Sequence, residues 1–225
     1  VAALLIGVPL GVYAAIRPSS AVARFLHIGS MVGVSLPAFV IGILLILVFS
    51  VELQWLPAFG RGQVVDLGWW QTGFLTPSGR AALIMPATSL TSFEIAFVMR
   101  LVTAEMLEAL RSDYVKFAKA RGLRDRSIHF RHALRNCLMP VITVVGMMIG
   151  DLIAFALVTE TVFQWPGMGF LFVQAVMFID IPVMAAYLMV VALIFVTINT
   201  AVDLLYIVVD PRLRAQGGLG GAHGR

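Results

Sequence analysis

The sequence predicts an all-α, polytopic membrane protein with five transmembrane helices. Of its 225 residues 60% are hydrophobic and 12% charged, with a mean hydropathy of +0.96, whereas a soluble domain carries about 25% charged residues. The apolar residues gather into separate runs close to the roughly 20 that a helix needs to cross hydrocarbon. The connections between those runs alternate between strongly basic and nearly free of basic residues, the mark of loops that alternate between two sides of a membrane.

The runs are residues 1–16, 28–51, 81–103, 138–163 and 182–209. Each is expected to be helical, because in lipid every backbone amide must be satisfied within its own segment and an open sheet leaves edges unpaired. The first run lacks an initiating Met, a basic leader and a small-residue cleavage site, so it does not read as a signal peptide. At sixteen residues it falls short of a full span, which predicts that the natural protein continues upstream, with one more span there.

Orientation follows from Lys and Arg. Arg17 and Arg24 follow the first run; Arg111, Lys116, Lys119, Arg121, Arg124, Arg126, Arg131 and Arg135 lie between the third and fourth; Arg212, Arg214 and Arg225 follow the fifth. The opposite connections hold only Arg61 and Arg80. The basic loops are therefore placed in the cytoplasm, with the C-terminus there and residue 1 outside. The net charge of +4 is accounted for by this topology, so no nucleic acid is implied. The single cysteine, Cys137, excludes an internal disulfide framework and reads as core filling.

The outer connection after the second run carries Trp55, Trp69 and Trp70 among Pro57, Gly60 and Pro77. Tryptophan gathers at membrane interfaces, so these side chains are expected to anchor the loop there. Residues 215–225 are glycine-rich and expected to be disordered.

The cytoplasmic connection, residues 104–137, carries the most information. Leu107, Leu110, Tyr114 and Phe117 or Ala118 recur at steps of three and four, which predicts an amphipathic helix over residues 105–122. Glu108 with Arg111 and Asp113 with Lys116 can pair on its polar face. Gly122 suits the helix end, a second helix should begin near Ser127, and Pro140 is expected at the membrane entry just after Leu138, where a missing amide is tolerated near a helix start. Such a short basic element could dock in a groove of a soluble partner. From periodicity alone, a retained cytoplasmic loop that happens to be helical accounts for it equally well.

The residues themselves narrow the choice. Asp113-Tyr114-Val115, then Ala118-Lys119-Ala120-Arg121-Gly122-Leu123, then His132-Ala133-Leu134-Arg135-Asn136 and Pro140, resemble the EAA loop of binding-protein-dependent ABC importers. The likeness is to the dipeptide, oligopeptide and nickel permeases in particular. Residues 160–169, with Glu160, Thr161, Phe163, Trp165, Pro166, Gly167 and Gly169, look like the outer-loop signature of the same branch. Asp203, Tyr206 and Asp210-Pro211-Arg212 look like its C-terminal end.

The resemblance implies a type I ABC importer permease fold in which Tyr114 to Gly122, with Asp113, Phe117, Ala118, Ala120, Arg121 and Leu123, form a coupling helix seated in a cytosolic ATPase. It implies a second permease subunit, an extracytoplasmic substrate-binding protein delivering peptides, and ATP and magnesium bound by the ATPase. The sequence departs from the general pattern where Glu-Ala-Ala reads Lys116-Phe117-Ala118, so an ion pair made by that glutamate does not carry over.

Glu94, Arg100, Asp151 and Asp203 lie within or near the apolar runs, where an unpaired charge is expensive and normally faces a partner or a cavity. Asp151 is a candidate for the translocation pathway, or equally for a structural contact. Gly146 and Gly150, four apart, allow close approach of another helix, in the core or from a neighbouring subunit. His129 and His132 lack a third ligand nearby, so no metal site is read, and without a phosphate-binding Gly-x-x-x-x-Gly-Lys loop energy must come from a partner. No nucleophile and base pair suggests an enzyme. The rival reading is an ion-driven secondary transporter or channel using Asp151, Glu94 and Asp203.

Overall fold

The computed structural model describes residues 2–209; the side chains of Arg131, His132, Met139, Met147, Asp151, Asp203 and residues 205–209 lie outside that description, as does the expected disordered tail. The helices are α1 (Ala2–Ile16), α2 (Ala21–Ser35), α3 (Ala38–Leu45), α4 (Pro77–Arg111), α5 (Asp113–Ala120), α6 (Asp125–Ser127), α7 (Leu134–Val162), α8 (Met168–Met177) and α9 (Ile181–Val209). π-Helical turns prolong α3 over Ile46–Glu52 and join α6 to α7 over Ile128–Ala133. A small antiparallel ribbon, β1 (Val65–Asp66) with β2 (Gln71–Thr72), rises from the connection between α3 and α4, where no strand was expected.

All five apolar runs are helical, with differences that have local causes. The second run is not one helix: α2 ends at Leu36, which is extended at φ −96° and ψ 126°, and α2 and the α3 segment meet at 104°. Pro37 explains the break, because its ring pushes the preceding residue out of helical conformation and it has no amide to donate. The third run extends further at both ends. Thr76 caps α4 by accepting from the Gly79 amide at 3.1 Å, and Pro77 takes the first turn, where a missing N–H is harmless. A helix does begin close to Ser127, at Asp125, and Pro140 lies inside its continuation rather than at a start, where the axis bends by 41°. The apolar stretch 168–177, left in a loop by the sequence reading, is the separate helix α8.

Two helices, α4 and α9, are each long and apolar enough to cross a membrane, and the two bent pairs raise the number to four among the described residues. The fifteen residues of α1 are fewer than the roughly 20 of a full span.

α4 is the hub, with α1, α2, α3 and α7 packed around it. α1 presents Ala3, Gly7, Gly11 and Ala15, all buried and four residues apart, so its backbone lies directly on α4. A Cβ at Gly11 would fall 2.7 Å from both the Met99 carbonyl oxygen and Val102 Cβ. At the same seam the Thr103 hydroxyl, which donates to the Met99 carbonyl of its own helix at 2.7 Å, also lies 3.2 Å from the Gly11 carbonyl. The core continues through Val98, Val102 and Met106 to Cys137, Val141 and Met148 of α7. On the far side of α7, Gly146 meets Val202 and Gly150 meets Phe195, so these glycines serve packing against α9 of the same chain.

Candidate functional site

The expected amphipathic helix is two helices. α4 runs on to Arg111, and Ser112, extended at φ −65° and ψ 154°, turns the chain into α5. Leu107 and Leu110 therefore belong to the long helix, while Tyr114, Phe117 and Ala118 belong to the short one. The buried face of α5 is Val115 with Ala118, packed on Ile128 of the next segment and on Leu110. Tyr114 and Phe117, expected on the same apolar face, point outward instead, Phe117 being 62% exposed. The eight-residue length of α5 leaves room for a single buried turn, and Val115 and Ala118 take it.

The end of α5 is fixed by its backbone. Gly122 has φ +76°; its amide donates to the Lys119 carbonyl at 2.9 Å and the Leu123 amide to the Ala118 carbonyl at 3.3 Å. This pair of bonds is the Schellman arrangement, which favours glycine at the left-handed position. The chain then enters α6 within two further residues and continues helically to Val162. α5 is thus a short rigid element braced between the ends of two long helices.

Its outward surface combines apolar and basic groups: Tyr114, Phe117 and Leu123, with the Arg121 guanidinium 5.1 Å from the Phe117 ring centre. Lys116 pairs with Asp113 at 2.8 Å, whereas Glu108 and Arg111 form no ion pair among the described residues. Both partners of the Lys116–Asp113 pair are largely exposed, so replacing Asp113 by alanine should change thermal stability by no more than about 0.5 kcal/mol. A melting curve of the purified variant checks this.

The second cluster is the turn from α7 to α8. Phe163 is buried beneath α3, its ring 3.0 Å from where a Cβ on Gly42 would lie. Its carbonyl accepts from the Gly60 amide of the outer connection at 3.0 Å. Gln164, at φ 46°, reverses the chain. The Glu160 side chain then reaches forward and its Oε2 accepts the Phe170 amide at 2.9 Å, within the first turn of α8. A carboxylate there satisfies a free donor and faces the positive end of the helix. Gly167 and Gly169 make room for it: a Cβ on Gly167 would collide with the Glu160 carboxylate, and one on Gly169 would lie 2.7 Å from Leu157 Cα. Trp165 lines a small cavity with Arg61, Gly73, Phe74 and Gly79 at the foot of the ribbon, while Thr161 and Pro166 are exposed. Glu160→Ala should lower stability by about 1 to 2 kcal/mol, read as an earlier thermal transition in detergent.

Residues 7–215 match the family described as binding-protein-dependent transport system inner membrane component. The chain belongs to that family. Among curated relatives it is 38% identical to the dipeptide transport system permease protein DppB of Alkalihalophilus pseudofirmus, over 94% of this chain and 67% of that protein. It is 38% identical to the oligopeptide transport system permease protein AppB of Bacillus subtilis, over 94% of this chain and 65% of that one. It is 37% identical to the di/tripeptide transport system permease protein DppB of Pseudomonas aeruginosa, over 93% and 66%. The chain thus spans about two thirds of the length of these relatives. The inward-facing MetNI methionine ABC transporter shares the fold, with a TM-score of 0.68 over 92% of this chain and 88% of that one at 18% identity.

For an inner-membrane component of such a system, α5 and the α7–α8 turn are distinct clusters. Asp113, Tyr114, Phe117, Ala118, Ala120, Arg121, Gly122 and Leu123 come together on α5 and its cap; Glu160, Phe163, Trp165, Gly167 and Gly169 come together around the Glu160 carboxylate. The side chains of Asp151 and Asp203 lie outside the described residues, as do Asp210, Pro211 and Arg212. One structural contributor was missed from the sequence, Ile128, fully buried against Val115 of α5. Ile128 is thirteen residues from Val115 and no single-helix periodicity connects them.

Proposed function

We propose that this chain is the membrane-spanning permease subunit of an ATP-driven importer of di- or oligopeptides, which works by alternating access and is moved by a separate cytosolic ATPase. The observation that carries this reading is α5: a short helix, braced by Val115 and Ala118 and stopped at Gly122, that turns Tyr114, Phe117 and Leu123 outward. A purely topological basic loop has no need of a fixed apolar surface, whereas docking uses apolar anchors at helical spacing. The peptide substrate is supported by the permeases of dipeptide, oligopeptide and di/tripeptide systems that the chain resembles.

In this reading α1, the bent α2–α3 pair, α4, the bent α6–α7 pair and α9 are five crossings, with α5 and the C-terminus in the cytoplasm. The grouping of basic residues around α5 and the first connection supports that orientation. A second permease subunit completes the pathway, and an extracytoplasmic binding protein meets the ribbon and the α7–α8 turn. The chain itself is not an enzyme; ATP and magnesium belong to the ATPase.

The test is crosslinking in membranes that hold the complete transporter. Cysteine placed at Phe117 should crosslink to the ATPase subunit, and substitutions at Ala118 and Gly122 should reduce its co-purification. A Phe117 crosslink that finds no nucleotide-hydrolysing partner would remove the importer assignment.

A further inference from the structure

α1 and α7 both pack on α4, and because α1 turns its small residues toward that helix, its bulkier ones border a valley beside α7. Two cavities lie along this valley. One, of about 510 Å³, runs between Leu4, Leu5 and Val8 of α1 and Leu138, Ile142 and Ile149 of α7. The other, of about 320 Å³, shares Val8 and Pro9 with it and ends at Tyr13, Arg17 and Phe130. Together they form one groove that is apolar along its length and charged only at Arg17. At 1.5 Å per residue the groove runs about 20 Å from Leu4 to Arg17. Half of a hydrocarbon core is about 15 Å thick, so an acyl chain reaching from headgroup level to the bilayer middle fits along it.

The mouth decides what kind of molecule belongs there. Arg17 is exposed, and among the described residues neither its guanidinium nor the Tyr13 hydroxyl has an ion-pair or hydrogen-bond partner. Lys116, by contrast, has Asp113, and Arg61 has the Gln71 carbonyl. Both groups at the mouth are donors, and a guanidinium matches phosphate through two parallel N–H groups. The groove between α1, α2 and α4 has the same volume, but its walls, Leu10, Phe25, Ser30 and Met99 among them, carry no charged residue. That groove gives an apolar tail nothing to hold its head. An apolar helix laid along α7 would leave Arg17 unpaired, whereas an anionic amphiphile satisfies both ends of the groove. We propose that the α1–α7 groove binds one anionic phospholipid, its acyl chain between Val8 and Ile142 and its phosphate at Arg17 and Tyr13. The site requires a membrane-embedded chain and no particular transported solute.

The test uses the complete transporter in phosphatidylcholine nanodiscs that contain a small fraction of phosphatidylglycerol with a diazirine in one acyl chain. After irradiation, mass spectrometry maps the labelled peptides. Label should concentrate in residues 4–17 and 130–149, about fivefold above the same diazirine carried on phosphatidylcholine, since one arginine near an anionic headgroup contributes about 1 kcal/mol. Arg17→Gln should abolish that preference and Arg17→Lys should keep most of it. Arg24→Gln, which removes an exposed arginine of α2 away from the groove, should leave it unchanged. Phosphatidylglycerol should also raise the melting temperature of the wild type more than that of Arg17→Gln.

Equal labelling by the two lipids, or a preference that Arg17→Gln retains, would overturn the proposal. So would an absence of label from both stretches while Leu193 and Val196 on the exposed face of α9 are labelled, because a protein segment, from this chain or from a second copy, would then cover the groove.

Discussion

Gly11→Leu should lower the thermal stability of the protein by about 3 kcal/mol, the upper part of the range for overpacking a closed core. A Cβ at this position already falls 2.7 Å from the backbone oxygen of Met99, an atom of the α4 helix that cannot rotate away. A larger side chain must push α1 off α4, and with it the contact of the Thr103 hydroxyl with the Gly11 carbonyl. Gly29→Leu is the control, because nothing lies within 4 Å of a Cβ there. Melting followed by size-exclusion chromatography should show early loss of the monodisperse peak for Gly11→Leu and little change for Gly29→Leu. Equal melting of the two variants would mean that the α1–α4 seam is looser than its geometry.

The second large effect is expected at Phe117. Phe117→Asp should leave folding intact, since the ring is 62% exposed and outside the small core of Val115, Ala118 and Ile128. It should weaken association with the ATPase by at least about 2 kcal/mol, roughly 30-fold, as an aromatic anchor of an interface does. The measurement is the affinity of purified ATPase for the permease in nanodiscs, with ATP-driven uptake alongside. Gly122→Ala is a milder companion: a Cβ there meets nothing within 4 Å, so its cost is the left-handed backbone alone, about 1 to 2 kcal/mol. Wild-type affinity in Phe117→Asp would move the docking surface elsewhere on the cytoplasmic side.

Much of the architecture was legible because lipid leaves the chain few options. Apolar runs gave the helices but not their starts, which lie ahead of residues 28 and 81, at caps that polar residues form: Ser20, which accepts from the Ala23 amide at 3.0 Å, and Thr76, which accepts from the Gly79 amide at 3.1 Å. Proline was the least readable signal. Pro9, Pro86 and Pro140 sit inside helices that continue through them, while Pro37 separates two. Each lacks the same amide, so the difference lies in whether surrounding packing holds the preceding residue helical, and a single sequence does not contain that. The α5 surface was half legible for a related reason. Periodicity ran straight through Ser112 and put Leu107, Leu110, Tyr114 and Phe117 or Ala118 on one face, whereas Leu110 and Ala118 pack inward and Tyr114 and Phe117 face outward. The Glu160 contact was illegible from spacing: it joins residues ten apart across a reversal at Gln164, and only resemblance marked Glu160, Gly167 and Gly169 as a group.

The helical path from Asp125 to Val162 is bent rather than straight, turning by 41° between the segment that ends at Leu138 and the one that starts at Pro140. Pro140 lacks the amide that would continue the intrahelical ladder, so the bend falls where the helix is easiest to flex. The segment before the bend begins three residues after Gly122, and the segment after it leads to the turn held by the Glu160 carboxylate. A hinge set between these two clusters lets the angle between them change without any helix having to melt.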